Sequence, residues 1–152
     1  MENYLRGTGR IVYDPFRAGK FDPNWCVVEV DTEITRYYRY WLQKEKHIIL
    51  QKPSWDAHIS VVRGERRANK YPQLWKKYHG QKVDFLYEHG VVRCARDKDQ
   101  PGLFYWVDVE CPLLNKIRTE LDLPTGMRFH VTIGRTYYEN IALPAGDRSI
   151  LI

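Results

Sequence analysis

His58-Ile59-Ser60-Val61 and His130-Val131-Thr132-Ile133 follow one pattern: a histidine, an aliphatic residue, a hydroxyl residue and a second aliphatic. Both stretches read as strands, in which successive side chains alternate between faces. Each histidine therefore shares a face with the hydroxyl two residues on, while the aliphatics point the other way. Two of five histidines open the pattern, a coincidence on the order of one in a thousand at ordinary residue frequencies. Two imidazoles and two hydroxyls on one surface suit a phosphodiester. A neutral imidazole takes a proton from the attacking oxygen, an imidazolium protonates the leaving oxygen, and the hydroxyls hydrogen-bond the phosphoryl oxygens.

The flanks of the two tetrapeptides also match. Trp25-Cys26-Val27-Val28-Glu29-Val30 reads as a strand, and Asp31 or Thr32 can cap a following helix. Ile34, Tyr37, Tyr38, Trp41 and Leu42 then recur at the spacing of one apolar helical stripe. The later copy opens with the strand candidate Phe104-Tyr105-Trp106-Val107-Asp108-Val109-Glu110. Pro112 suits a first helical turn, Leu113, Leu114, Ile117 and Leu121 mark one face, and Pro124 and Gly126 close the element. The pattern is strand, helix, histidine strand, twice over. It predicts an internal duplication whose halves meet about a pseudo-twofold axis.

This arrangement resembles the 2H phosphoesterase superfamily over about Trp25 to Arg135. The resemblance implies an α+β fold: two pseudo-symmetric lobes of antiparallel sheet, flanked by helices, around a central cleft. It also implies catalysis by His58, Ser60, His130 and Thr132. Ser60 stands where threonine is commoner, which keeps the hydroxyl but loses the methyl that stiffens χ1. The opening Arg6-Gly7-Thr8-Gly9-Arg10-Ile11-Val12-Tyr13-Asp14-Pro15, the extended motif to Glu65, Trp75-Lys76-Lys77-Tyr78-His79-Gly80 and the ending Gly134-Arg135 are most similar to bacteriophage anti-CBASS nucleases. Those enzymes open cyclic di- and trinucleotide messengers of infection to linear products. That likeness implies a cyclic di- or trinucleotide partner, the cytosol of an infected bacterium as the setting, and Tyr13, Arg10, Trp75 and Lys76 as substrate-binding residues. The alternatives are a 2H enzyme acting on 2′,3′-cyclic phosphate or 2′-5′ linked RNA ends, and a non-catalytic nucleotide binder. Two intact histidine motifs count against the binder.

Composition agrees with an anionic partner without demanding one. The 152 residues, 43% hydrophobic, suffice for one well-buried domain over 1–152, with halves at about 1–65 and 82–140. The formal charge is +5 and the pI is near 9.1, which favours anions. Five Trp and eleven Tyr are mostly core material, with a minority free to stack on bases. Cys26, Cys94 and Cys111 show no paired spacing and read as buried free thiols. The polar start and the lack of a membrane-length apolar run point to a soluble, cytosolic protein, and no stable protein partner is predicted.

No compact three-ligand metal set accompanies either histidine, and hydroxyls are poor zinc ligands, so neither metal nor cofactor is expected. Ser60 is in register with His58 as a phosphate ligand rather than a nucleophile. Gly7 and Gly9 are expected to loosen the backbone before a short strand, Arg10 to Tyr13, and this is no phosphate loop. Gly64 to Gln81 reads as a basic connection on which Leu74 and Trp75 dock, and Lys82 to Cys94 as a strand or hairpin. Arg63 and Arg135 lie five residues after a motif histidine, an odd offset that puts them on the opposite face unless Gly64 and Gly134 bend the strands.

Overall fold

The computed structural model describes residues 3–65, 71–98, 101–137 and 148–151, the last four by their backbone alone. The described strands are β1 (Tyr4–Tyr13), β2 (Phe16–Arg17), β3 (Lys20–Phe21), β4 (Trp25–Val30), β5 (His58–Arg63), β6 (Lys82–Glu88), β7 (Val91–Arg96), β8 (Leu103–Glu110), β9 (Phe129–Thr136) and β10 (Arg148–Leu151). The helices are α1 (Thr32–Lys46) and α2 (Pro112–Glu120). The protein is α+β, with every strand pairing antiparallel.

Six strands close into a barrel in the order β1-β4-β5-β9-β8-β6, and β7 and β10 extend the sheet beyond β8. The first half of the chain supplies β1, β4 and β5, the second β6, β8 and β9. The halves meet twice, where β1 pairs with β6 and where Ile59 of β5 faces Val131 of β9. The motif aliphatics Ile59, Val61, Val131 and Ile133, all at 0% exposure, join one core with Tyr38 and Leu42 of α1, Leu114 and Ile117 of α2, and Leu121 at the C-cap of α2. Burial at roughly 1.5–3 kcal/mol per large aliphatic side chain makes the register costly to slip.

Both helices begin as their sequences dictate. The Asp31 carboxylate accepts from the Glu33 amide at 2.9 Å, and Pro112 opens α2, where no helical partner for its nitrogen is lost. Cys26, Cys94 and Cys111 are free and buried.

Two local expectations change, and one element is new. The first strand runs from Tyr4, and its glycines serve close packing: a Cβ on Gly7 would stand 2.5 Å from the Phe85 ring and one on Gly9 2.5 Å from Val28. Lys82 to Cys94 forms no hairpin. β6 and β7 both run antiparallel to β8, as one strand broken at Gly90 (φ 82°), and the hairpin is β7–β8. A small hairpin, β2–β3, turns at Ala18 and Gly19, whose φ of 52° and 83° are those of a tight hairpin turn.

Candidate active site

The ladder between β5 and β9 brings the two motifs side by side. Antiparallel continuation from the Ile59–Val131 pair sets Ser60 against His130 and His58 against Thr132. All four are partly exposed, on the face opposite the buried aliphatics. Sequence alternation alone had placed each histidine beside the hydroxyl of its own motif. The fold also gives it the hydroxyl of the other.

Both strands carry a β-bulge at the motif's fourth residue. Cys26 and Val27 pair with Val62 and Ser60, so Val61 is the extra residue in β5; Tyr105 and Trp106 pair with Gly134 and Thr132, so Ile133 is the extra one in β9. A bulge leaves a backbone group outside the ladder, and a buried carbonyl there needs another donor. The helix of the opposite half supplies it each time. Arg118 of α2 donates to the Val61 carbonyl at 2.9 Å, and Arg39 of α1 donates to the Ile133 carbonyl at 2.8 Å.

Each imidazole is tethered by the carbonyl two residues before it. Nδ1 of His58 lies 2.7 Å from the Asp56 oxygen, and the Arg128 carbonyl bonds the His130 ring. Since a carbonyl only accepts, the tethered nitrogen of His58 carries the proton and Nε2 is left for chemistry. Burial is the main cause that draws both pKa values below the ordinary histidine range. For His58 the charges of Arg17 and Arg63 add to it, while the Asp56 bond opposes. For His130 the charges of Arg63 and His58 add to it, while the Arg128 carbonyl and Asp108 oppose.

The neighbours break the symmetry. His58 stacks on Trp55 with ring centroids 4.1 Å apart and planes at 25°, and the Arg17 guanidinium lies 3.9 Å from the centroid of Trp55. Asp22 fixes Arg17 at 2.8 Å, so the small hairpin delivers a cation to the base of the His58 stack. His130 instead faces Asp108 across the β8–β9 ladder and has Trp106 at 6.0 Å. Asp108 is held by Arg93 at 3.0 Å, Arg128 at 3.1 Å and the Trp106 indole at 3.1 Å. None of Arg17, Trp55, Trp106 or Asp108 stood out in the sequence. Trp55, three residues before His58, was the one available signal.

The model of the Swiss Army Knife 2H phosphoesterase domain matches residues 28–140, a span that contains both histidine motifs and the helices between their strands. The chain belongs to the 2H phosphoesterases. No curated protein and no solved structure matches it.

Among the described residues of this 2H phosphoesterase, no group of three His, Cys, Asp or Glu side chains is placed to hold a metal ion. No described helix is long and apolar enough to cross a membrane.

The four residues expected to bind substrate divide. Arg10 lies in register with Glu29, which pairs with His58, so it shares their row across the sheet, and its guanidinium donates to the Gly80 carbonyl at 2.7 Å. Tyr13 does not offer a stacking face: it is 2% exposed, packed edge-on to Trp75 at 4.9 Å, because its strand phase turns it with Cys26 and Val62 into the core. Trp75 is docked, its indole donating to Asp14 at 3.2 Å, and Lys76 pairs with the same carboxylate at 3.5 Å. Asp14 thus gathers Trp75 and Lys76 beside Tyr13, and no described contact joins them to His58 or His130. Arg66, Arg67 and Lys70 lie outside the described residues.

Arg63 and Arg135 are moved by the bulges. One extra residue resets the alternation, so an odd offset from the histidine returns Arg63 to the imidazole face, where it pairs across from Trp25 and its charge reaches both histidines. Gly64 (φ 68°) follows it in a conformation that glycine adopts freely. Gly134 gives room for the Gln51 backbone, since a Cβ there would stand 2.5 Å from the Gln51 oxygen. Arg135 is spoken for by Asp97 at 3.0 Å and by the Phe104 and Tyr137 rings.

Proposed function

We propose that this 2H phosphoesterase is a metal-independent phosphodiesterase in which His58 is the general base and His130 the general acid. The observation that carries the reading is the pair of tethered imidazoles on adjoining strands, crossed with two hydroxyls. Arg63 bears on both rings, and the further cation Arg17 on the His58 side makes His58 the poorer imidazolium. His130, facing the buried carboxylate of Asp108, is the better one. Nε2 of His58 takes the proton of the attacking water or ribose hydroxyl as its oxygen bonds to phosphorus. The untethered N–H of His130 gives a proton to the leaving oxygen as the old P–O bond breaks. Ser60 and Thr132 donate to the non-bridging oxygens, and Arg63 offsets their charge.

The substrate we infer is a nucleotide phosphodiester, first among them a cyclic di- or trinucleotide messenger whose 3′-5′ bond is opened to a linear product. A phage would use such an enzyme to silence bacterial immune signalling in the host cytosol. The likeness of the motif flanks to anti-CBASS nucleases, the charge of +5 and the indoles of Trp55 and Trp106 beside the imidazoles support this reading. We further read the halves as a duplication with one lobe each, on the strength of the matched bulges and the exchanged arginines. A second reading, an RNA end bearing a 2′,3′-cyclic phosphate, is favoured by the burial of Tyr13, which leaves fewer faces for two bases.

Incubation with cyclic dinucleotides and trinucleotides, and separately with cyclic-phosphate RNA ends, all in EDTA, tests both. Linear products from the cyclic messengers at full rate are expected. Cleavage of RNA ends alone selects the second reading, and loss of activity restored by a divalent ion refutes the metal-independent scheme.

A further inference from the structure

The bulge-capping arginines differ in one respect that the chain's symmetry does not require. Arg118 has the Glu65 carboxylate on two of its nitrogens, at 2.7 and 2.9 Å. Arg39 has no carboxylate among the described residues. Its resolved partner is the Ile133 carbonyl, which uses one N–H of five. Burial and the like-charged Arg36 both weigh against its charge. A half-buried cation without a counter-ion is costly unless something else meets it.

Arg39 lines a cavity of about 340 Å³ that opens between α1 and the 52–57 segment. Arg36, Lys52, Trp55 and Thr132 line it too. Two carboxylates also border it. Glu33 pairs with Arg36 at 3.2 Å, and with Asp56 it makes two carboxylates against the three cations Arg36, Arg39 and Lys52. Two of the walls belong to the catalytic site: Trp55 carries His58 on its ring, and Thr132 is the hydroxyl of the second motif. The cavity is therefore a side chamber of the phosphodiester site.

We propose that this chamber binds a second phosphate of the substrate, the next one along the nucleotide from the scissile group, with Arg39, Arg36 and Lys52 as its ligands. The inference rests on the phosphodiesterase reading and makes it more specific: substrates carrying two phosphates one nucleotide apart are preferred over those carrying one. Arginine suits the role, since its planar fork matches phosphate oxygens in pairs.

The test compares adenosine 2′,3′-cyclic phosphate with and without a 5′-phosphate. Wild-type protein is expected to favour the 5′-phosphorylated form by at least about ten-fold in kcat/KM, the scale of one charge-assisted contact. That preference should fall to within about two-fold of unity in the Arg36→Gln/Lys52→Gln double variant, whose residues lie off the bulge, and in Arg39→Lys, which keeps a donor for Ile133. An unchanged preference in the folded variants, or none in the wild type, overturns the proposal. If neither compound is cut, the 2′,3′-cyclic phosphate reading is the one that fails, and the cyclic-messenger reading stands on its own assay. The same ratio, taken then from dissociation constants by calorimetry on His130→Ala protein, still decides the chamber: a ten-fold preference lost in the variants supports it, and equal affinities refute it.

Discussion

Replacing His58 or His130 by alanine is expected to slow phosphodiester hydrolysis by about 10²–10⁴-fold while leaving the protein folded. The loss follows from geometry. Each ring is fixed by a backbone carbonyl, at 2.7 Å for His58, and no other described imidazole lies on that face to replace it. Folding survives because the anchoring of these strands belongs to Ile59, Val61, Val131 and Ile133, at 0% exposure, whereas the histidines stand on the partly exposed face. The two residues serve one proton-transfer sequence, so the double variant should be little slower than either single one. Steady-state kinetics on the three variants, with circular dichroism to verify folding, reads the result. Turnover within a few-fold of wild type in folded His130→Ala protein would remove the acid from the scheme.

The second large effect is on stability. Arg118 is 3% exposed and satisfies four acceptors: the Val61 and Pro124 carbonyls at 2.9 and 2.8 Å and both oxygens of Glu65 at 2.7 and 2.9 Å. Glu65→Ala leaves that guanidinium buried without a counter-ion. Removing one partner of a buried pair costs about 3–5 kcal/mol, and with Glu65 31% exposed the loss is expected near the lower end of that range. Replacing both partners, as in Glu65→Ala/Arg118→Met, should restore much of it, since the buried charge is then gone. Urea unfolding midpoints distinguish the outcomes, and a single variant as stable as wild type would show that the pair is hydrated. The pair also has a pH signature. Arg118 is the chief cause that holds the Glu65 carboxyl below the ordinary carboxylate range, so its contribution is complete above that range and is lost as pH falls through the lowered value.

The elements that position the site were legible where a single periodicity governed them. Trp25–Val30 is a strand to the residue, α1 buries Tyr38 and Leu42 of its predicted stripe, and Pro112 starts α2. Pairing was less legible. The break at Gly90 that makes β6 and β7 one interrupted strand depends on β8, which lies outside the local window. Tyr13 was assigned to the substrate by the likeness of its flank, yet the register of β1 on β4 turns it inward. The bulges at Val61 and Ile133 are invisible in one strand because they exist only relative to a partner, and with them went the true positions of Arg63 and Arg135. Arg17 reaches the Trp55 ring under His58 from the distant β2–β3 hairpin. No pattern within one segment announces that.

The central claim is that two imidazoles, one neutral and one charged, share the work on a phosphodiester without a metal. The dependence of kcat/KM on pH, measured in EDTA, tests it most directly. Burial holds both histidines below their ordinary range, near 6.5. Between the two apparent pKa values one proton is held by the pair, and on either side the pair is fully charged or fully neutral. The account predicts a bell with its maximum below about pH 6.5, falling toward neutrality as the acid is lost and toward strong acidity as the base is filled. A rate that climbs steadily through pH 8, or one that vanishes in EDTA and returns with a divalent ion, would contradict it.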